Sequence, residues 1–234
     1  MNQEIEAGEA VHGRDLLIVL VLTVGILFAL RFLLGGVPRS PPAVFALLAL
    51  QSAVPMTILY LLVIRRRGLS WRAVGLRHAK PLWYAIAVVL AFISLPVVMA
   101  VNAGVQSLLG EPLRNPQLEM LAPAQFSWGA LALMLAMAGV VVPIVEEIVF
   151  RGLVFGWLRT RFGLGLATVA SALVFAFAHG IPALAPALAV QGVALAWLYA
   201  RSDSLWPAVL MHGTFNSLMS ILLYAAIAAG VPLR

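Results

Sequence analysis

Residues 128–158, "WGALALMLAMAGVVVPIVEEIVFRGLVFGWL", form the apolar stretch that decides the fold class. A run of about 20 apolar residues is long enough to cross a bilayer as a helix, and the charged residues of this stretch are Glu146, Glu147 and Arg151. Similar apolar runs lie at 15–34, 43–64, 82–104, 163–181, 184–200 and 204–228. The pattern predicts an all-α, polytopic integral membrane helix bundle with about seven transmembrane helices.

The composition supports a membrane protein and removes several classes of chemistry. Of the 234 residues, 63% are hydrophobic and 10% are charged, whereas soluble domains are about 45–50% apolar. The chain has no cysteine, which excludes disulfides, a thiolate nucleophile and a Cys-ligated metal. The first apolar run lacks a small-residue cleavage pattern, so we expect it to be a retained span and not a cleaved signal peptide.

The segments between the runs predict a single membrane domain, residues 1–234, without a separate soluble part. The stretch "RRRGLSWRAVGLRHAKP", residues 65–81, separates the second and third runs and interleaves basic with apolar residues. This pattern is typical of a short amphipathic element lying on the membrane surface. A proline-rich connection, residues 111–125, separates the third and fourth runs.

The basic residues indicate the orientation of the chain. With the N-terminus in the cytoplasm, eleven of the fifteen Lys and Arg residues lie on the cytoplasmic side, in accord with the positive-inside rule. Topology therefore explains the net charge of +6, and no nucleic-acid partner is expected. We expect a multi-pass protein of the cell inner (cytoplasmic) membrane with a cytoplasmic N-terminus.

Polar residues deep inside the spans are the candidate functional groups, because an ionisable side chain at the bilayer centre costs about 2.5–3.5 kcal/mol on translocon scales. Glu146 and Glu147 are the acids well inside a span, and His179 and His212 are the histidines there. At about 1.5 Å per residue from the cytoplasmic helix ends, Glu146 lies about 20 Å deep and His179 about 24 Å. His212 lies about 12 Å deep and Asn216 about 18 Å. Polar groups from three helices thus reach overlapping depths.

Helical spacing separates the roles of the two glutamates. Glu147 and Arg151 are four residues apart with the acid first, which is the favourable order for an ion pair on one helix face. Glu146 points about 100° away around the helix and has no partner on its own helix. Glu146 is therefore the candidate reactive group, and Glu147 with Arg151 is the supporting pair. Phe175, in a later span, is assigned to packing and lipid contacts.

These residue types suit the hydrolysis of an amide bond without a covalent enzyme intermediate. A carboxylate and an imidazole can take a proton from water and return it to a leaving amine. The histidine and asparagine at 212 and 216, also four residues apart, supply donors of the type that stabilise an oxyanion. No cofactor is required for this chemistry. The H-E-x-x-H zinc motif, a deep aspartate pair and the G-x-S-x-G elbow are absent, whereas a serine dyad built on Ser171 or Ser217 stays open.

Three motifs resemble those of a known family. "EEIVFRG" at 146–152 is similar to E-E-x-x-x-R, "FAFAH" at 175–179 to F-x-x-x-H, and "HGTFN" at 212–216 to H-x-x-x-N. They are the motifs of the CPBP family of intramembrane glutamic proteases, also called CAAX-protease-like or Abi proteins. The resemblance implies a helical protease whose catalytic core, residues 128–228, opens toward the cytoplasmic side.

The resemblance also implies a role for each motif residue. Glu146 with His179 would activate water, while His212 and Asn216 would form the oxyanion site. Glu147 and Arg151 would shape that site, and no metal would be involved. The implied partner is a membrane protein or a lipidated peptide. A CaaX-like prenylated protein is one example of such a substrate.

Other interpretations of the same residues remain open. Some relatives act as scaffolds or bacteriocin-immunity proteins, so a non-proteolytic membrane regulatory protein is the main alternative. A proton-coupled transporter could use the glutamate pair as its relay, although no inverted repeat is visible. A zinc enzyme is a further alternative, since one glutamate and two histidines can bind zinc and leave a position open.

Overall fold

The computed structural model describes residues 11–33, 41–110, 113, 122–123 and 125–231. Most of the proline-rich connection lies outside these residues, and so does the acidic stretch before the first span, residues 1–10. Throughout the described parts of the chain, the regular secondary structure is helical. The prediction of an all-α fold is confirmed.

The helices follow the apolar runs in chain order. They are α1 (Gly13–Leu33), α2 (Pro41–Leu59), α3 (Pro81–Leu109), α4 (Trp128–Ala136), α5 (Val142–Glu147), α6 (Gly156–Ala178), α7 (Ala185–Ser202) and α8 (Leu205–Ala228). Wider π-helical segments extend or join some of them, at Tyr60–Arg65, Met137–Val141 and Ile148–Phe155. Short 3₁₀ helices lie at Trp71–Val74 and Pro182–Leu184.

The described chain offers six helical runs that are long and apolar enough to cross a membrane. One of them, Trp128–Ala178, has 51 residues, or about 77 Å at 1.5 Å per residue, more than twice the roughly 30 Å of a bilayer core. Gly163, with φ 77° and ψ 176°, breaks this run. Two crossings within the run give a total of about seven, in agreement with the sequence.

The π-helical segments Met137–Val141 and Ile148–Phe155 flank α5, the short helix that carries both glutamates. Pro143 lies in the first turn of α5. Proline has no backbone N–H, and its ring clashes with the carbonyl four residues earlier, here that of Gly139. This gives a local reason for the wider turn before α5, and π-helical turns are frequent at functional sites.

Helices α3, α7 and α8 pack together around a set of buried apolar side chains that we call the α3–α7–α8 cluster: Ala87, Ala91, Leu195, Leu198, Ala208 and Met211. A tight turn at Asp203, with φ 52°, joins α7 to α8. Ser204 caps α8 by accepting a hydrogen bond from the backbone N–H of Trp206. The two helices therefore run antiparallel, with their close ends at this turn.

The 3₁₀ helix Trp71–Val74 lies in the segment that the sequence predicts to be an amphipathic surface element. It is anchored to the bundle, because the N–H of Leu205 donates to the carbonyl of Gly75 at 2.9 Å and Arg77 pairs with Asp203 at 2.9 Å. A Cβ on Gly152 would lie only 2.5 Å from the carbonyl oxygen of Val74. The glycine after Arg151 thus permits the element to contact the helix of the glutamates.

Candidate active site

Glu147 and Arg151 form a fully buried ion pair. Neither side chain is exposed, and Arg151 Nη1 donates to Glu147 Oε1 at 3.0 Å. Arg151 Nη2 donates to the carbonyl oxygen of Gly192 on α7 at 3.2 Å, and the guanidinium lies 4.4 Å from the centre of the Phe175 ring. The pair expected from the spacing is present, and Arg151 also ties the helix of the glutamates to α6 and α7.

His212 lies between the two glutamates. Its Nδ1 donates to Glu147 Oε1 at 2.8 Å, and its Nε2 lies 3.6 Å from Glu146 Oε2. The proton is placed on Nδ1 because the partner of this nitrogen is the carboxylate of Glu147. That carboxylate also accepts from Arg151, so it acts as a hydrogen-bond acceptor. Glu147 therefore orients the imidazole of His212, a contact that the sequence does not indicate.

The two acids differ in their access to the surroundings. The side chain of Glu146 is 25% exposed, whereas that of Glu147 is fully buried. Glu147 accepts from both Arg151 and His212, while Glu146 has only the longer contact with His212. The acid without a partner on its own helix is thus the one that is open to a reactant.

Asn216 is held by a backbone carbonyl. Its Nδ2 donates to the carbonyl oxygen of Ala138 at 3.0 Å, within the π-helical segment Met137–Val141. The backbones cross closely here, because a Cβ on Gly213 would overlap the carbonyl oxygen of Gly139. A carboxamide nitrogen has two N–H donors, so this bond orients Asn216 and leaves the second N–H for another acceptor.

His179 lies at the C-terminal end of α6 and is half-buried. Its Nδ1 donates to the carbonyl oxygen of Phe175 at 2.8 Å, so Nε2 is the free ring nitrogen in the neutral form. Among the hydrogen bonds of the described residues, none joins His179 to Glu146. His212 therefore contacts both glutamates, whereas His179 is linked to these groups through the ring of Phe175.

Phe175 links these groups. Its ring packs edge to face against His179 at 4.7 Å and against His212 at 5.8 Å, measured between ring centres. The side chain of Phe175 is 1% exposed. It therefore packs inside the bundle, as expected, but it does not contact lipid. Because the same ring also lies under Arg151, Phe175 fixes the spacing between α6 and the site on α5 and α8.

One buried polar residue near the site is not indicated by the motifs. Gln191 on α7, adjacent to the Gly192 that accepts from Arg151, is 4% exposed. The available signal is that Gln191 interrupts the apolar run 184–200. The described residues contain no group of three or more His, Cys, Asp or Glu side chains arranged to hold a metal ion.

The fold and the site define a class of protein, namely a polytopic helical membrane protein with acid and imidazole groups buried between its helices. Residues 128–218 match the protein family described as "Type II CAAX prenyl endopeptidase Rce1-like". This region is therefore similar to the CAAX-protease-like (CPBP) family, and the resemblance of the three motifs to that family is confirmed. The matched region contains all six residues of the candidate site.

A curated relative is similar over part of the same length. The chain is 30% identical over 93 residues to the candidate membrane peptidase YdiL of Bacillus subtilis (strain 168). The similarity covers 40% of this chain and 38% of the relative, which is less than half of each protein. No solved structure matches the chain significantly.

Proposed function

We propose that the protein is an intramembrane glutamic endopeptidase that hydrolyses a peptide bond of a membrane-associated protein. The observation that carries the proposal is the placement of His212 between a buried Glu147, whose Oε1 accepts from two donors, and a partly exposed Glu146. Such pairs of acids in unlike surroundings are typical of acid–base sites, in which one group orients and the other reacts. The match of residues 128–218 to a family whose description names an endopeptidase supports the same activity.

In the proposed reaction, Glu146 is the general base. It takes a proton from a water molecule that His179 helps to orient, and the water oxygen attacks the carbonyl carbon of the scissile bond. The tetrahedral intermediate then collapses, the C–N bond breaks, and Glu146 returns the proton to the leaving amine. The half-buried positions of Glu146 and His179 support these roles, because both side chains remain accessible to a reactant.

His212 and Asn216 are proposed to stabilise the oxyanion of the intermediate. His212 in its doubly protonated form donates from Nδ1 to Glu147 and from Nε2 toward the reacting oxygen. Asn216 contributes the N–H that is not bound to Ala138. Glu147 and Arg151 act as positioning residues that hold the imidazole in place, since preorganised donors stabilise developing charge more effectively than mobile ones.

The proposed substrates are membrane proteins or lipidated peptides, including CaaX-like prenylated proteins, in accord with the family description. We propose that the protein lies in the cell inner membrane with a cytoplasmic N-terminus. Residues 128–228 would form the catalytic core of the single membrane domain, which opens toward the cytoplasm.

The proposal predicts that Glu146→Gln abolishes proteolysis. A positioned acid–base group contributes about 10²–10⁴-fold to the rate. The rate of cleavage of a fluorogenic, S-farnesylated C-terminal peptide should therefore fall at least about 10²-fold. The assay uses purified protein with and without a chelator, and retained activity with the chelator opposes the zinc alternative. Comparative proteomics of membranes with wild type and Glu146→Gln would then identify natural products.

The matched control is Asp203→Asn, which removes an exposed acid outside the candidate site and should keep full activity. If Glu146→Gln cleaves the peptide at the wild-type rate, the glutamic mechanism is wrong. The non-proteolytic alternative is correct if the wild-type protein cleaves nothing and the Glu146→Gln variant complements a deletion strain as well as the wild type does.

A further inference from the structure

Gln191 is a buried carboxamide without a hydrogen-bond partner. The residue is 4% exposed, and neither Oε1 nor Nε2 bonds to any atom of the described residues. Burying an unpaired polar group is unfavourable, because the group loses its hydrogen bonds to water and gains none within the protein. Because buried polar groups in native proteins are nearly always paired, an exception calls for an explanation.

Gln191 lies where α7 meets the charged pair of the site. The carbonyl of the next residue, Gly192, accepts from Arg151 at 3.2 Å. A Cβ on Gly192 would lie 2.9 Å from Ala172 on α6, so α6 and α7 are in close contact at this level. The backbone at Gln191 is thus held in a fixed position beside Arg151.

The depth of Gln191 equals that of Asn216. The helices α7 and α8 are antiparallel and meet at the turn Asp203–Ser204; Gln191 precedes Asp203 by 12 residues and Asn216 follows Ser204 by 12 residues. Both residues therefore lie about 18 Å from the turn at 1.5 Å per residue. The packing agrees with this depth. Leu195, which lies four residues closer to Asp203 than Gln191 does, belongs to the α3–α7–α8 cluster.

At this level the faces of α3 and α8 toward the cluster become less buried, whereas α7 stays buried, since Ala187 is 2% exposed. On α3 the chain is fully buried at Ala91 and half-buried one turn later at Ser94. On α8 the face toward the cluster is fully buried at Met211 and half-buried at Phe215. Gln191 belongs to the same face of α7 as the cluster residue Leu195, one turn beyond it, and it therefore faces the level at which α3 and α8 become less buried.

From this placement we infer that Gln191 is a substrate-binding residue, whose carboxamide hydrogen-bonds the main chain of the bound peptide next to the scissile bond. A carboxamide has an N–H donor and a carbonyl acceptor, which together complement the C=O and N–H of a peptide. Because both groups are unpaired in the free protein, binding gains these bonds without breaking any within the protein. The inference rests on the proposed proteolytic function.

The test measures binding separately from cleavage. The parent protein is Glu146→Ala, which prevents turnover, and the probe is a fluorescent peptide with an S-farnesylated cysteine followed by three residues. Adding Gln191→Met, which removes both polar atoms and keeps the unbranched shape, should weaken the Kd at least tenfold by fluorescence anisotropy. The midpoint of thermal unfolding should stay the same or rise, since no hydrogen bond of the free protein is lost.

Gln51→Met is the matched control, because Gln51 is an exposed glutamine on α2, and it should leave the Kd unchanged. Gln191→Leu is a second variant with a different apolar shape. Unchanged binding in both Gln191 variants, a lowered unfolding midpoint in both, or no binding of the peptide to the parent would overturn the inference. If the parent binds the peptide but the wild type does not cleave it, proteolysis is refuted and the role of Gln191 in binding stands.

Discussion

At the scale of single residues, the site depends on the unequal environments of two neighbouring acids. Glu147 has two donors, Arg151 and His212, within 3.0 Å. Glu146, one residue earlier, has a 3.6 Å contact with the other nitrogen of the same imidazole. A buried carboxylate held by two donors is suited to orientation, whereas a partly exposed one is suited to proton transfer.

A first prediction concerns the buried ion pair. Arg151→Leu removes the guanidinium and leaves the buried carboxylate of Glu147 without its cation, a change that typically destabilises a protein by about 3–5 kcal/mol. We expect a large fall in the midpoint of thermal unfolding of the purified protein in detergent. Glu146→Gln should change the midpoint far less, because Glu146 is partly exposed and outside the ion pair. Equal midpoints for Arg151→Leu and wild type would contradict this assignment.

At the scale of helices, the close crossing of α8 and the π-helical segment Met137–Val141 sets the position of Asn216. Gly139 and Gly213 lie at the crossing, where neither has space for a Cβ. Asn216 follows Gly213 by about one turn and donates to Ala138 across the same contact. The glycines therefore allow the approach that makes the hydrogen bond possible.

A second prediction is that Gly213→Ala separates these elements. The added methyl group would overlap the carbonyl oxygen of Gly139, and overpacking of this kind typically costs about 1–3 kcal/mol. We expect a lower unfolding midpoint and, because Asn216 is displaced, a lower kcat for peptide cleavage. The control is Gly104→Ala on α3, where a Cβ meets nothing within 4 Å; helix propensity favours alanine there by about 1 kcal/mol. A Gly213→Ala variant as stable and active as Gly104→Ala would argue against the crossing.

At the scale of the whole molecule, long-range contacts join the segment after the second span to the last two spans. Arg77 pairs with Asp203, and Gly75 accepts from Leu205. Near the N-terminus, Asp15 on α1 pairs with Arg67 beyond α2. These contacts place the segments on one face of the bundle, the face that the positive-inside rule assigns to the cytoplasm.

A third prediction follows for the orientation of the chain. Because the protein has no cysteine, single cysteines report sidedness directly. Ser70→Cys, at an exposed position before the 3₁₀ helix, should react with a membrane-impermeant maleimide only in inside-out vesicles. Val231→Cys, exposed beyond the end of α8, should react only in right-side-out vesicles. The reverse pattern would show that the N-terminus is outside.

The sequence by itself determined the properties that depend on one helix at a time. Hydrophobic run lengths predict about seven crossings, the break at Gly163 falls at the first residue of the predicted span 163–181, and i, i+4 spacing predicts the Glu147–Arg151 pair. Each rests on local rules of rise and turn that hold for any helix. Depth counting also indicates that His179, His212 and Asn216 lie near the level of Glu146.

Only the tertiary structure decided how the helices are rotated and how closely they approach. Rise per residue gives depth but not the direction in which a side chain points toward other helices. For that reason the bond between Glu147 and His212, 65 residues apart, the attachment of Asn216 to Ala138, and the buried Gln191 beside Gly192 were not predicted. These contacts depend on glycine crossings and on the packing of Phe175, which form only when separate helices come together.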